Sequence, residues 1–196
     1  MEHVYQKDMG HSDWSEVFAR QKQRADLISN WLSGLQLRPG DHVLDIGAGP
    51  GFVSLEVATY VGPTGLVIAV DRSSDALAYL EQLQEERGVP QIKRFVADAA
   101  TVVLPGESVD AALVTMVLHH TDDPRAVLRN VAQLLSAGAR VVVGEFHPDG
   151  PCTMGPPREE RIAPEALQTW CELAGLKMLS YLRQTPEHYM LQLERV

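Results

Sequence analysis

The sequence has few cysteines, no long apolar run and no excess of basic residues, and each shortage excludes a class of protein. Cys152 and Cys171 are too few and too far apart for a Cys-x-x-Cys site or a disulfide framework, so we expect free thiols in a reducing compartment. The most apolar stretch, VDAALVTMVL, has about ten residues, whereas a membrane-spanning helix needs roughly 20. The first residues, MEHVYQKDMG, lack the apolar segment of a secretory signal. We therefore expect a cytoplasmic protein without a membrane span.

The overall charge is acidic. The chain has 17 Lys and Arg against 26 Asp and Glu, a net charge of −9. This balance disfavours nucleic acid as a partner, because affinity for a phosphate backbone comes from clustered Lys and Arg. One basic cluster, Arg20, Lys22 and Arg24, falls on a predicted helix. We interpret it as a solvated helix face, with a specific basic pocket as the alternative.

Buried strands and amphipathic helices alternate along the 196 residues. Apolar runs predict five buried strands, which are HVLDI, VIAV, the segment from Ile92 to Val96, DAALVTMV and RVVVGEF. Cap and stop signals predict the helices at 13–35, at 51–61, from Ser73 or Ser74 to Gly88, from Asp123-Pro124 to Gly138, and from Pro164 to Gly175. In the first of these helices, Asp13 with Glu16 resembles a capping box.

Two final runs, LKMLSYL and HYMLQLERV, are joined by a turn that is too short for a crossover, so they are predicted to pair antiparallel. Strict alternation before them indicates right-handed crossovers and a doubly wound sheet. The sequence therefore predicts an α/β, Rossmann-like fold with a seven-stranded sheet, mostly parallel with an antiparallel C-terminal strand. We expect one domain over residues 1–196, with ligands bound beyond the carboxyl ends of the strands.

The stretch DIGAGPG places glycines at 47, 49 and 51 directly after the first strand. In the dinucleotide fingerprint G-x-G-x-x-G, the third glycine position would fall on Phe52. An NAD(P)-dependent oxidoreductase of Rossmann type is nevertheless the alternative enzyme class. A short-chain dehydrogenase would need a Tyr-x-x-x-Lys pair, and none of the five tyrosines is followed by lysine at that spacing.

The chain resembles the class I S-adenosylmethionine-dependent methyltransferases along nearly all of its length. The family's acidic-x-Gly-x-Gly-x-Gly signature stands here as DIGAGPG, an acidic residue ends VIAVD, and further landmarks are VADA, VDAALVTMVLHH and LLSAGARVVVGEF. Through LHHTDDPRAVLRNVAQLL the chain is similar to the type 11 branch, which contains the ubiquinone and menaquinone C-methyltransferases.

This resemblance implies S-adenosylmethionine as the cofactor. Asp71 is expected to accept both ribose hydroxyls, Asp98 to accept from the adenine amino group, and Asp45 to lie near the ammonium. The glycines would let the backbone approach the cofactor closely. The full expected cofactor-binding set is Asp45, Gly47, Ala48, Gly49, Gly51, Asp71, Arg72, Asp98, Ala99 and Met116.

The resemblance implies a small-molecule methyl acceptor without naming it or the atom that is methylated. The candidate catalytic residues are His147, His120 and Tyr5, with His147 as the first choice for a general base. The candidate substrate-binding residues are His11, His119, Glu145, Arg158 and Arg161. For His119 and His120, a role in packing or capping is the alternative.

Two segments are expected to border the acceptor, namely residues 1–35 as an N-terminal lid and residues 147–163 as a substrate-side loop. No metal is expected, because the spacing of Glu145, His147, Asp149 and Cys152 matches no metal site. A non-catalytic S-adenosylmethionine-binding regulator remains a further alternative, which turnover with any acceptor would exclude. We expect a monomer or a homodimer.

Overall fold

The computed structural model describes Met9, residues 12–106 and residues 108–196. Over these residues the helices and strands follow the predicted order, except that two helices stand where one was predicted near the start. The helices are α1 (Trp14–Gln23), α2 (Ala25–Leu35), α3 (Phe52–Val61), α4 (Ser74–Arg87), α5 (Pro124–Leu134) and α6 (Pro164–Leu173). The strands are β1 (His42–Ile46), β2 (Leu66–Asp71), β3 (Ile92–Val96), β4 (Ala111–Thr115), β5 (Arg140–Phe146), β6 (Leu176–Arg183) and β7 (His188–Arg195). Short 3₁₀ turns lie at Leu118–His120 and Arg158–Glu160.

The strands form one seven-stranded sheet in the order β3-β2-β1-β4-β5-β7-β6. Strands β1 to β5 pair parallel with one another, and β7 pairs antiparallel with both β5 and β6. The doubly wound, mostly parallel sheet with antiparallel C-terminal strands is therefore confirmed. The strand order reverses between β1 and β4, which is where open α/β sheets bind ligands.

Helices cover both faces of the sheet and bury two apolar layers. Because successive side chains of a strand point to opposite faces, Val43 packs with α2, α3 and α4, while its neighbour Leu44 packs with α5 and α6. Full burial of a Val or Leu side chain contributes about 1.5–3 kcal/mol. This explains why the central strands are continuous apolar runs: both of their faces are covered.

The prediction of one helix over 13–35 is wrong, because the helix breaks at Arg24. Asp13 caps α1 by accepting from the Ser15 and Glu16 amides, as expected for its start. Arg24 leaves the helical conformation at φ −100° and ψ 19°, and its amide donates to the carbonyls of Gln21 and Lys22. Neither glycine nor proline marks this position, so no local signal announces the break.

Strand β4 ends at Thr115, two residues before the end of the predicted strand DAALVTMV. Met116 takes a left-handed conformation with φ 54°, which a strand cannot continue. The chain therefore turns sharply at the carboxyl edge of the sheet and enters the 3₁₀ turn at Leu118–His120. None of the helices in the described part of the chain combines the length and apolar character needed to cross a bilayer.

Candidate active site

The carboxyl ends of β1, β2, β4 and β5 border a cavity of about 1380 Å³. Parts of α1 and α2, and the loop residues Cys152, Thr153, Met154 and Gly155, complete its wall. One end is lined by Gly47, Gly49, Asp71 and Asp98, and the other by Arg24, His119, His120 and Phe146. The cavity therefore joins the glycine segment to the region beyond β4 and β5.

The three glycines after β1 all have positive φ values, but the atoms that surround them differ. A Cβ on Gly47 would lie 2.3 Å from a Val117 methyl, and one on Gly51 would lie 2.2 Å from a Leu80 methyl. Of the three, only Gly49 could carry a Cβ without a steric clash, since the nearest atom would be the Gln21 side-chain amide nitrogen at 3.4 Å. Gly47 and Gly51 are thus required by packing, and Gly49 is the glycine whose missing side chain leaves room at the cavity.

Asp71, at the end of β2, ties the glycine segment in place. Its carboxylate accepts hydrogen bonds from the Gly49 amide at 2.8 Å and the Ser73 amide at 2.9 Å. Burial raises the pKa of Asp71, although those amide bonds and the charge of Arg72 oppose the shift. Asp71 and Arg72 both line the cavity, side by side with the glycine segment.

Asp45 lies behind the glycine segment and does not line the cavity. Its side chain is 2% exposed and accepts a 2.6 Å hydrogen bond from the Ser54 hydroxyl of α3. Burial raises the pKa of Asp45 to about 6, against the Ser54 bond and with a smaller contribution from the charge of Asp71. Ala48 is likewise buried. The structure thus places Asp45 and Ala48 as supports of the segment.

The remaining expected cofactor residues lie along the same end of the cavity. Asp98 and Ala99 follow β3, and both line the wall. The Asp98 carboxylate accepts from the Ala100 amide at 2.7 Å, while the Asn130 side chain donates to the Ala99 carbonyl at 3.0 Å. Met116 also lines the cavity, held by its amide bond to the Gly144 carbonyl.

His119 and Glu145 form a buried pair at the other end of the cavity. His119 Nδ1 lies 2.6 Å from Glu145 Oε2, and the two side chains are 2% and 0% exposed. Glu145 Oε1 also accepts from the Leu118 amide at 2.9 Å. Burial opposes ionisation of Glu145, but the charge and hydrogen bond of His119 and the Phe146 amide outweigh it, so the pKa of Glu145 is lowered. The carboxylate thus fixes the orientation of the His119 ring.

His120 lines the cavity beside this pair, with its ring 4.2 Å from that of His119. His147, by contrast, lies in the loop and does not line the cavity. Its Nδ1 accepts from the Asp149 amide at 3.1 Å, and its Nε2 lies 3.2 Å from an Arg183 nitrogen. Burial and the charge of Arg183 lower the pKa of His147. These contacts give His147 a role in shaping the loop.

The structure does not bring Arg158 and Arg161 to the cavity either. Arg161 is buried, forms a 2.5 Å ion pair with Glu187, and donates to the carbonyls of Pro156, His147 and Met154. Arg158 donates to the carbonyls of Pro148 and Gly150. Both guanidinium groups are therefore occupied in holding the 147–163 loop together. The two remaining expected site residues, Tyr5 and His11, lie outside the described residues.

Sequence reasoning missed two cavity residues on the first helices. The N-cap residue of α3 is Gly51, which has no side chain to cap the helix. Gln21 Oε1 replaces that cap by accepting a 3.2 Å hydrogen bond from the Phe52 amide. Arg24 reaches the other end, where its guanidinium carbon lies 6.0 Å from the centre of the Phe146 ring. For Arg20 and Arg24 the structure favours the alternative of a basic pocket over a solvated face, since both line the cavity, whereas Lys22 is exposed. Their i, i+4 spacing was the available signal.

No group of three or more His, Cys, Asp or Glu side chains in the described part of the chain is arranged to hold a metal ion. The cavity thus has one end bordered by the carboxylates of Asp71 and Asp98 and another end bordered by His119, which is paired with Glu145.

Comparison with known proteins agrees with this arrangement. The Methyltransferase domain family matches residues 43–138. The ubiquinone/menaquinone biosynthesis C-methyltransferase UbiE of Ectopseudomonas mendocina is 31% identical over 150 residues, which cover 69% of this chain and 59% of that protein. The 27-O-demethylrifamycin SV methyltransferase of Amycolatopsis mediterranei is 30% identical over 152 residues, covering 74% of this chain and 54% of that protein. The chain thus spans little more than half the length of these two relatives.

The fold has matches among solved structures as well. A SAM-dependent methyltransferase from Aquifex aeolicus superposes with a TM-score of 0.84 at 21% identity, covering 94% of this chain and 99% of that one. Its likeness concerns the fold, while the family match over residues 43–138 covers the glycine segment and the carboxyl ends of β2 to β4. The chain therefore belongs to the class I S-adenosylmethionine-dependent methyltransferase family.

Proposed function

We propose that this protein transfers the methyl group of S-adenosylmethionine to a small-molecule acceptor by in-line displacement. The observation that carries the proposal is the continuity of the cavity, which runs from Gly49 and Asp71 to His119 and Glu145. Pockets for one drug-sized ligand measure roughly 300–1,000 Å³, and this cavity of about 1380 Å³ is larger. It has room for a cofactor and an acceptor together.

S-adenosylmethionine, when bound, supplies an electrophilic methyl group on a sulfonium. Residues of this chain fit that cofactor at the glycine end of the cavity. Asp71 has acceptor capacity beyond its two amide bonds for ribose hydroxyls, and Asp98 with Ala99 is available to the adenine. Gly49 leaves space for the close approach of the ligand, while Arg72 and Met116 border it. Asp45 acts indirectly, by holding α3 and the glycine segment through Ser54.

His119 is the residue we propose as the general base. Glu145 engages Nδ1 and orients the ring, which lines the cavity where the acceptor would lose its proton. Glu145 positions the ring and stabilises the imidazolium that forms. His120 lies next to His119 and contributes to the same wall. Holding the acceptor in line with the methyl group supplies much of the remaining acceleration.

Two segments cover this cavity in our proposal. Residues 1–35 act as a lid, which is supported by the cavity-facing positions of Trp14, Val17 and Arg24. Residues 147–163 act as the acceptor-side loop, supported by the contribution of Cys152 to Gly155 to the wall. The internal bonds of Arg158 and Arg161 keep that loop in a defined shape.

We also propose a cytoplasmic protein that acts as one domain, as a monomer or a homodimer, without nucleic acid. Two features support this. Cys152 and Cys171 are both free thiols, and the net charge of −9 disfavours polyanions.

The decisive experiment combines binding with turnover. We expect calorimetry to detect binding of S-adenosylmethionine and of S-adenosylhomocysteine. When S-adenosylmethionine is incubated with a library of small acceptors, we expect the protein to release S-adenosylhomocysteine with at least one compound. Heat with NAD but with neither adenosyl ligand would favour an oxidoreductase. Binding of S-adenosylmethionine without turnover of any acceptor would instead favour a regulator.

A further inference from the structure

Arg24 brings a guanidinium group into the cavity without forming an ion pair with any described carboxylate. Its Nε donates to the Arg20 carbonyl at 3.4 Å. Within the described part of the chain, neither Nη1 nor Nη2 of Arg24 donates a hydrogen bond, and no carboxylate lies at ion-pair distance from them. Arg20, one helical turn earlier, also lines the cavity. Two positive charges therefore border the same space.

Arg161, the other arginine next to Phe146, is paired in a way that Arg24 is not. Arg161 also lies over the Phe146 ring, at 5.2 Å, but it is paired with Glu187 and bonded to three carbonyls. Among the described residues Arg24 has no comparable ion pair; burial and repulsion from Arg20 lower its pKa to about 10, against the more distant charge of Glu145. A desolvated charge without a partner is costly, which makes it a candidate for binding a ligand.

The position of Arg24 relative to the proposed base defines where such a ligand would lie. The Phe146 ring centre is 6.0 Å from the Arg24 guanidinium carbon and 5.4 Å from the His119 ring centre. Phe146 is thus a common neighbour of the two groups, and all three residues line the cavity. An acceptor whose anionic group binds Arg24 would therefore lie close to His119.

We propose that the methyl acceptor is a small carboxylate, and that Arg24 binds its carboxylate group through Nη1 and Nη2, with Arg20 adding positive charge. The inference rests on the proposed function, because it names the class of acceptor for the same site. A planar guanidinium matches a carboxylate bidentately, and such charge-assisted pairs are strong where water is excluded. The pair of arginines also offsets locally the repulsion that a protein with a net charge of −9 exerts on an anion.

The test uses matched probes that differ in charge. Benzoate, salicylate and 4-hydroxybenzoate, each beside its primary amide, are titrated by calorimetry into the chain of residues 1–196 saturated with S-adenosylhomocysteine. We expect at least one carboxylate to bind about tenfold or more tightly than its amide, as charge-assisted hydrogen bonds require. Arg24→Gln should abolish that preference while leaving the affinity for S-adenosylhomocysteine unchanged.

Two further variants make the result interpretable. Arg24→Lys keeps the charge but not the planar fork, so it should retain only part of the preference even if Arg24→Gln folds poorly. Arg129→Gln removes a side chain that is 56% exposed on α5, outside the cavity, and should behave as wild type. The proposal is overturned if no carboxylate outcompetes its amide, or if Arg24→Gln preserves the preference. Failure of wild type to bind S-adenosylhomocysteine would instead count against the proposed function, and the carboxylate preference would then be measured without it.

Discussion

The carboxylate of Asp71 accepts a 2.8 Å hydrogen bond from the Gly49 amide, so the end of β2 is tied to the glycine segment that follows β1. The same carboxylate is our proposed ribose acceptor. One side chain therefore shapes the cofactor end of the cavity and contributes to binding there.

Replacing Asp71 with alanine should weaken S-adenosylhomocysteine binding by roughly 1.5–3 kcal/mol, because charge-assisted hydrogen bonds are lost. Isothermal titration calorimetry measures the change. Asp26→Ala, on the exposed side of α2, is the matched control and should bind as wild type. Equal affinity of Asp71→Ala and Asp26→Ala would show that Asp71 has no part in binding the ligand.

Gly49 and Gly51 should respond differently to alanine. At Gly51 the added methyl meets Leu80 at 2.2 Å in a left-handed conformation, so we expect destabilisation of at least about 2 kcal/mol. At Gly49 the nearest atom is 3.4 Å away, so unfolding in urea should change by only about 1 kcal/mol while cofactor affinity falls. A larger stability loss for Gly49→Ala than for Gly51→Ala would contradict this division.

Asp45→Asn should stabilise the fold near neutral pH. Burial raises the pKa of Asp45 from 3.8 to about 6, so its favourable contribution is present below pH 4 and is lost as pH rises through 6. At pH 7 the ionised carboxylate therefore costs on the order of 2–3 kcal/mol relative to a neutral group. We expect Asn to recover much of this in urea unfolding at pH 7 and little at pH 4. A gain that does not depend on pH would indicate another cause.

Glu145→Gln should lower turnover by about 10²-fold or more once an acceptor is known, because His119 loses the carboxylate that orients and stabilises it. Affinity for S-adenosylhomocysteine should stay unchanged, and the pH–rate profile should shift. Glu194→Gln is the control, since Glu194 pairs with Arg140 at the sheet's surface, 3.1 Å away. Full activity of Glu145→Gln across the pH range would leave positioning alone to explain catalysis.

Arg161→Met should destabilise the protein by about 3–5 kcal/mol, because Glu187 is left without its buried partner. In wild type, burial opposes ionisation of Glu187. The hydrogen bond and charge of Arg161, together with the hydrogen bonds from Thr153, nevertheless lower the pKa of Glu187 to about 2. This contribution is present above pH 4.5 and is lost as pH falls toward 2. The variant should lose less stability than wild type over that acid range in urea unfolding. Identical acid dependence would assign the low pKa to Thr153 alone.

The order of strands and helices could be predicted because its signals are local. The run HVLDI is apolar enough to mark a strand buried on both faces, and its predicted bounds match β1. Ser73 and Gly88 likewise bracket α4, as its N-cap and its left-handed C-cap. The break at Arg24 has no such local signal; it separates α1, which packs on α3 and α4, from α2, which packs on β4, β5 and β7.

The site was predictable to a different degree at its two ends. The cofactor end follows from motif order, because the carboxyl ends of parallel strands converge on one edge. The acceptor end depends on which side chains turn inward. Glu145 and His119 meet through the pairing of β4 with β5 and the left-handed turn at Met116, whereas His147 is drawn into the loop by Asp149 and Arg183. Strand endings alone do not distinguish these histidines.

The single turn from Gln21 to Arg24 touches both ends of the cavity, since Gln21 caps α3 beside the glycine segment and Arg24 lies over Phe146. The break in the first helix thus places a contact to the glycine segment and a contact to the acceptor end of the cavity within four residues of the chain. A single substitution in this turn can therefore alter the walls of both binding regions at once.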